Sequence, residues 1–193
     1  MAELITNNRK YLPLELLKSY GYSQYKINKL IDSGKLAKIN KKTYENLDFT
    51  GEDSDYYYAY AYIPEGVICL MSAAAYYNLT TFRPDSIDVA IHRKAKVSTL
   101  PDWPSIALHY FTDNRFASGI ETIDNDGNIF RIYDVEKTVC DVISYRNNIG
   151  IDETKEILKN YLNLKNRNLN KLIRYATELK CEDILRTYLE VLI

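Results

Sequence analysis

The feature that most constrains this chain lies between Tyr11 and Tyr44, where two glycines divide the sequence into three short blocks. Tyr11-Leu-Pro-Leu-Glu-Leu-Leu-Lys-Ser-Tyr stops at Gly21, and Tyr22-Ser-Gln-Tyr-Lys-Ile-Asn-Lys-Leu-Ile-Asp-Ser stops at Gly34. Lys35-Leu-Ala-Lys-Ile-Asn-Lys-Lys-Thr-Tyr44 completes the segment. Proline is at home in the first turn of a helix, and glycine ends one in a left-handed turn. Pro13 and Gly21 therefore predict a helix over 14–20, with Leu14, Leu16 and Leu17 turned inward. Ser23 is a good cap for a second helix. There Ile27, Leu30 and Ile31 recur at i, i+3 and i+4 and define its buried face. The opposite face then carries Tyr25, Lys29 and Asp32, flanked by Lys26 and Asn28, and Gln24, Tyr25, Lys26, Asn28 and Lys29 sit at the N-terminal, outward part. The third block alternates around Leu36 and Ile39 and returns through Thr43-Tyr44, a hairpin with a cationic tip at Asn40-Lys41-Lys42.

Helix, glycine turn, helix and hairpin in this order outline a winged helix-turn-helix, a module that lays one helix into the DNA major groove. On that reading the DNA-contacting residues are Ser23, Gln24, Tyr25, Lys26, Asn28 and Lys29 on the helix, with Lys38, Asn40, Lys41 and Lys42 on the hairpin. Glutamine and asparagine can pair with adenine in bidentate fashion, and lysine can donate to guanine. A hairpin tip rich in lysine suits a phosphate backbone. The charge distribution agrees. The whole chain carries a net charge of −1, whereas residues 1–44 hold nine lysines and arginines against three acids, a local +6. Attraction to phosphates must therefore come from this end of the chain.

At 193 residues the chain can bury a proper core or hold two small domains. Residues 46–55 turn acidic and include Gly51, so they read as a linker between a winged helix-turn-helix domain over 1–48 and a second domain over 56–193. In the second domain the predicted elements are a helix over 56–62, a short strand over 67–70 and an alanine-rich helix over 72–78, with Ser72 as its N-cap. A half-buried strand follows at Ile87–Ile91, with further strands at 106–111 and 120–123. Asp126-Gly127 signals a hairpin into 129–132. From Tyr133 the period becomes helical. Asp134, Asp152 and Asn168 are read as caps of successive helices, with a last helix over 182–193. The stripe Val135, Val139, Val142 and Ile143 faces inward on the first, and Leu169, Leu172 and Ile173 face inward on the third. The fold class is therefore α+β: a winged helix-turn-helix followed by an α/β domain with a small mixed sheet (56–132) and terminal helices (133–193).

Cys69, Cys140 and Cys181 are odd in number, far apart and set among apolar neighbours, so they read as buried reduced thiols of a cytoplasmic protein. The first eight residues lack the blocks of a signal peptide, and no apolar run reaches the roughly 18–20 residues of a membrane span. Most of the 18 tyrosines are expected in the core. Asp124-Asn-Asp126-Gly127 reads as a hairpin turn, since a calcium loop needs more oxygen ligands than it supplies. His92 and His109 lack metal-ligand partners, and His92 reads as part of a solvated loop after a strand. Asp88, Glu136 and Lys137 are the residues a metal-dependent nuclease would have to use, but their spacing is generic. No cofactor or metal site is expected, nor an enzyme. A second basic surface, for DNA or a partner, is nominated at Arg93 and Lys94 and at Lys165, Arg167, Lys171 and Arg174.

In three places the chain resembles the AbiEi antitoxins of type IV toxin–antitoxin systems, which act in bacterial abortive infection of phage-infected cells. The first is the glycine-punctuated N-terminal segment closed by Tyr44. The second is Ile68-Cys-Leu-Met-Ser72-Ala-Ala-Ala-Tyr-Tyr-Asn78-Leu79 with the strand after it, and the third is Tyr133-Asp-Val-Glu-Lys-Thr138-Val-Cys-Asp141-Val-Ile. Lys42 and Asn78 stand where that family usually has glycine. The resemblance implies an autorepressor that binds inverted repeats in its own double-stranded promoter DNA. It also implies that the C-terminal domain antagonises a nucleotidyltransferase-like toxin without a stable complex. The competing readings are a metal-dependent nuclease, or a helical protein-interaction module, carrying a DNA-binding arm.

Overall fold

The structure is a computed structural model and describes residues 8–97 and 99–192. Its architecture is α+β, with ten helices and two sheets among the described residues. The N-terminal elements are strand β1 (Tyr11–Pro13), helices α1 (Leu14–Ser19) and α2 (Gln24–Asp32), and strands β2 (Leu36–Lys38) and β3 (Thr43–Asn46). The three strands form an antiparallel sheet in the order β1-β3-β2, with Leu12 opposite Tyr44 and Lys38 on the other side of Tyr44. Strand β1 is an addition to the sequence reading. Pro13 lies at the end of that strand and is the N-cap of α1, so its missing N–H is spared on both counts. Leu12, Leu17, Ile27, Leu36 and Tyr44 make the buried core here, while Leu14, Leu16, Leu30 and Ile31 are only partly covered.

The chain then forms α3 (Asp55–Tyr62), β4 (Val67–Ile68), α4 (Leu70–Tyr76), β5 (Ile87–His92), β6 (Ile106–Phe111), α5 (Asp113–Ala117) and the hairpin β7 (Ile120–Asn125) and β8 (Asn128–Tyr133). The hairpin turns where it was expected, with Asp126 and Gly127 both at positive φ and the Gly127 N–H donating to Asp124 Oδ1. These strands form a mixed sheet in the order β6-β5-β4-β8-β7. Strand β5 is buried from Ile87 to Ile91, not half-buried, because both faces are covered. On one side α3 packs Tyr57, Ala59 and Ile63 against Ile68, Val89 and Ile132. On the other, Ala90, Phe111 and Tyr133 meet Phe116 and Tyr145.

Helices α6 (Val135–Ser144), α7 (Arg146–Ile149), α8 (Ile151–Asn163), α9 (Leu169–Glu178) and α10 (Glu182–Leu192) complete the fold. Asp134 and Asn168 cap α6 and α9 as expected, each accepting from the N–H three residues on. Asp152 does not cap α8, because Gly150 holds that position. Helix α6 departs most from an amphipathic reading, since every residue from Glu136 to Ile143 is buried. Its charges survive there because each is paired. Lys137 Nζ lies 2.5 Å from Asp141 Oδ2 and over the Tyr133 ring, while Arg115 binds the other Asp141 oxygen. Glu136 accepts from Tyr161 and from the Asn168 N–H. Among the described residues no buried side-chain nitrogen or oxygen lacks a hydrogen-bond partner. The three cysteines are buried and unbridged, and Cys181 Sγ comes within 3.7 Å of the Cys140 carbonyl. No helix among the described residues is long and apolar enough to cross a membrane.

Candidate nucleic-acid interface

Helix α2 is built by three local devices. The Ser23 Oγ accepts the Lys26 N–H at its start. At its end the Gly34 N–H donates to Ile31 O and the Lys35 N–H to Leu30 O, the paired bonds that a left-handed glycine allows. Gly21 ends α1 in the same way, through Gly21 N–H to Lys18 O and Tyr22 N–H to Leu17 O. Between these stops Ile27 is fully buried, and it fixes which way the rest of the helix faces.

Gln24, Lys26, Asn28 and Lys29 are all exposed, and Tyr25 is 77% exposed. Gln24 Nε2 donates to Asn28 Oδ1 at 3.1 Å, so the two amides stand as one pre-aligned pair one turn apart. On the hairpin Lys38, Lys41 and Lys42 are exposed. None of these five lysines has an ion-pair partner among the described residues. Lys10 differs from them, with its ammonium held between Glu45 at 3.1 Å and Asp53 at 3.0 Å. Lys18 and Lys35, which the sequence reading left out of the contact set, are exposed and unpaired like the five. The local excess of positive charge over residues 1–44 already counted both.

Asn40 has another task. Its Nδ2 donates to Ala61 O at 3.1 Å, and its Oδ1 accepts the Lys42 N–H. Thr43 Oγ1 also reaches Ala61 O, and the Tyr62 hydroxyl donates to Ile39 O at 3.0 Å. These bonds satisfy a carbonyl in the last turn of α3 and fasten the hairpin to that helix. Lys42 itself has no positive φ, so the turn closes without the conformation a glycine would supply, whereas Asn78 adopts a φ of 55°.

The residues nominated as a second basic surface are less free. Lys171 is not an outward cation, because its ammonium lies 3.2 Å from Asp134 and 3.4 Å from Glu136. Arg174 faces Glu178, Arg93 faces Asp113, and Arg167 donates to its own Leu164 carbonyl. Lys94 and Lys165 are exposed. Leu169 and Ile173 are 43% and 50% exposed where inward positions were expected, because α9 presents Leu172, Tyr175 and Ala176 to the core instead.

The remaining candidates are tied up separately. Ser72 lies inside α4, whose N-cap is Cys69, and its N–H and Oγ both meet Asp88 Oδ2. His109 Nε2 lies 2.8 Å from Asp88 Oδ1. His92 ends β5 and meets Asp113 at 2.6 Å, in place of a free loop position. Asp88 is thus engaged with Ser72 and His109, while Glu136 and Lys137 have partners of their own on α8, α9 and α6. No group of three histidines, cysteines or carboxylates fit to hold a metal occurs among the described residues. No protein-family model matches the chain, and no curated protein matches it significantly.

Proposed function

We propose that residues 11–46 act as a winged helix-turn-helix bound to double-stranded DNA, and that the protein is an autorepressing antitoxin of the AbiEi kind. The observation that carries the reading is the solvent-facing side of α2, Gln24 to Lys29, joined in one small unit to a hairpin with three exposed, unpaired lysines. In this reading the Gln24–Asn28 pair reaches base edges, and Lys26, Lys29, Lys38, Lys41 and Lys42 neutralise phosphates. Inverted repeats in the promoter would bring two copies together on one duplex. The antitoxin role rests on the resemblance of the three sequence stretches. It assigns residues 56–193 to antagonising a nucleotidyltransferase-like toxin without a lasting complex.

Fluorescence anisotropy with the duplex upstream of the gene tests the first role. Binding should exceed that to a shuffled duplex and should weaken in Lys26→Ala, Lys29→Ala and Lys41→Ala. Equal, salt-insensitive binding to both duplexes would end the proposal. Growth rescue on co-expression with a nucleotidyltransferase-like toxin tests the second role, and no rescue of any such toxin would end it. A helical interaction module is the other reading with an observation behind it, the exposed Leu169 and Ile173 on α9. It expects a stoichiometric protein partner that Ile173→Glu releases.

A further inference from the structure

We infer that the cleft between the three-stranded sheet and α3 is a binding site for a mononucleotide, a flat aromatic body carrying a phosphate. The cleft encloses about 540 Å³, within the range of about 300–1,000 Å³ typical of small-molecule sites. Its walls come from β1, α1, the β2–β3 hairpin, α3 and the β7–β8 turn, segments that no local sequence pattern would group together. Two properties define the occupant. Tyr57 and Tyr60 supply aromatic surface, and the Tyr60 hydroxyl has no hydrogen-bond partner among the described residues. Arg9, Lys18 and Lys42 bring three cations to the rim against a single acid, Glu15, and none of the three is ion-paired among the described residues.

The Arg9 guanidinium lies directly over Gly127, where a Cβ would collide with it, so the turn leaves room for that group. Unpaired cations beside aromatic faces favour an anion attached to a planar ring over a cation, a sugar or an aliphatic chain. A free phosphate would leave the tyrosine wall unused, and a free nucleoside would leave the cations unused.

The cleft also touches Lys42, Thr43 and Ala61, and Thr43 and Ala61 belong to the junction that fastens the hairpin to α3. An occupant would therefore bear on the placement of the hairpin. That consequence rests on the DNA-binding reading, whereas the site itself does not.

Calorimetric titration of the full chain, without DNA, with AMP, GMP, CMP and UMP tests the site, with adenosine and inorganic phosphate as controls. At least one nucleotide should saturate the protein with 1:1 stoichiometry and bind about tenfold more tightly than either control. Lys18→Glu, on the exposed face of α1, should weaken it about tenfold, and Tyr60→Leu should do the same without altering binding of phosphate alone. Thermal melts establish that both variants fold. No saturation by any nucleotide up to about 5 mM, or saturation unchanged in a folded Lys18→Glu protein, overturns the proposal. Promoter binding is measured separately, so a protein that binds nucleotide and ignores DNA keeps the site and loses only the coupling.

Discussion

The salt dependence that the proposed DNA binding should show can be worked out from individual lysines. Lys26, Lys29, Lys38, Lys41 and Lys42 are exposed and unpaired. If each neutralises one phosphate, log K should fall against log salt with a slope of about −4.5 per bound copy, at about 0.9 per contact. Raising salt from about 50 to about 200 mM should then weaken binding about 500-fold. Lys41→Ala should reduce the slope to about −3.6 and the loss to about 150-fold. Two copies on an inverted repeat would double each slope.

Lys10→Ala is the control, because that ammonium is already held by Glu45 and Asp53. Its slope should match the parent within error. Anisotropy titrations of a promoter duplex at four salt concentrations read all of this directly. Substitutions at the exposed lysines change stability little, typically within about 0.5 kcal/mol, and a thermal melt checks the fold of the Lys10→Ala protein, whose side chain is largely covered. A Lys41→Ala slope equal to the parent, or an equal reduction in Lys10→Ala, would refute the assignment of the hairpin lysines to phosphate.

Base reading should separate from phosphate binding. Gln24→Ala together with Asn28→Ala should cost about 1–3 kcal/mol of discrimination per contact against a shuffled duplex, with the salt slope unchanged, and competition titrations check it. Asp141→Asn leaves the buried Lys137 and the partly buried Arg115 without their carboxylate and should lower the unfolding free energy by about 3–5 kcal/mol in urea titrations. Lys137→Met should cost less, because Asp141 keeps Arg115, so equal losses would contradict this account. The Glu156 carboxylate accepts first from the Thr81 N–H and then from the Thr80 and Thr81 hydroxyls, which hold its pKa below the ordinary 4.5. A depressed folded value means stability that is present above about pH 4.5 and lost as the pH falls through the folded value. Glu156→Gln should therefore melt earlier than the parent near pH 6, with the gap narrowing as the pH falls through the folded value, and a constant gap would show that the carboxylate charge is not responsible.

Local chemistry made the N-terminal elements legible. Ser23, Gly21, Gly34, Asp134, Asn168 and Asp126-Gly127 act through bonds to residues no more than five positions away, so their effect can be read from sequence. The same holds for the outward side of α2, since burying Ile27 turns Tyr25, Lys26 and Lys29 to solvent whatever lies further along the chain. Periodicity failed where distant segments enclose an element from all sides. α6 buries Glu136, Lys137 and Asp141 because Arg115, Tyr161 and the start of α9 bring the matching groups. Leu169 and Ile173 stay exposed because the core takes the adjoining face of α9.

The sequence alone determined where α1 and α2 start and stop and which residues α2 turns to solvent, since backbone capping and helical pitch are local forces. Only the tertiary structure decided which cations remain free. Lys10 and Lys171 are ion-paired to carboxylates, Asn40 is bonded to the end of α3, and Lys18 and Lys42 meet at a cleft, because electrostatic pairing depends on distances through space that sequence separation does not encode.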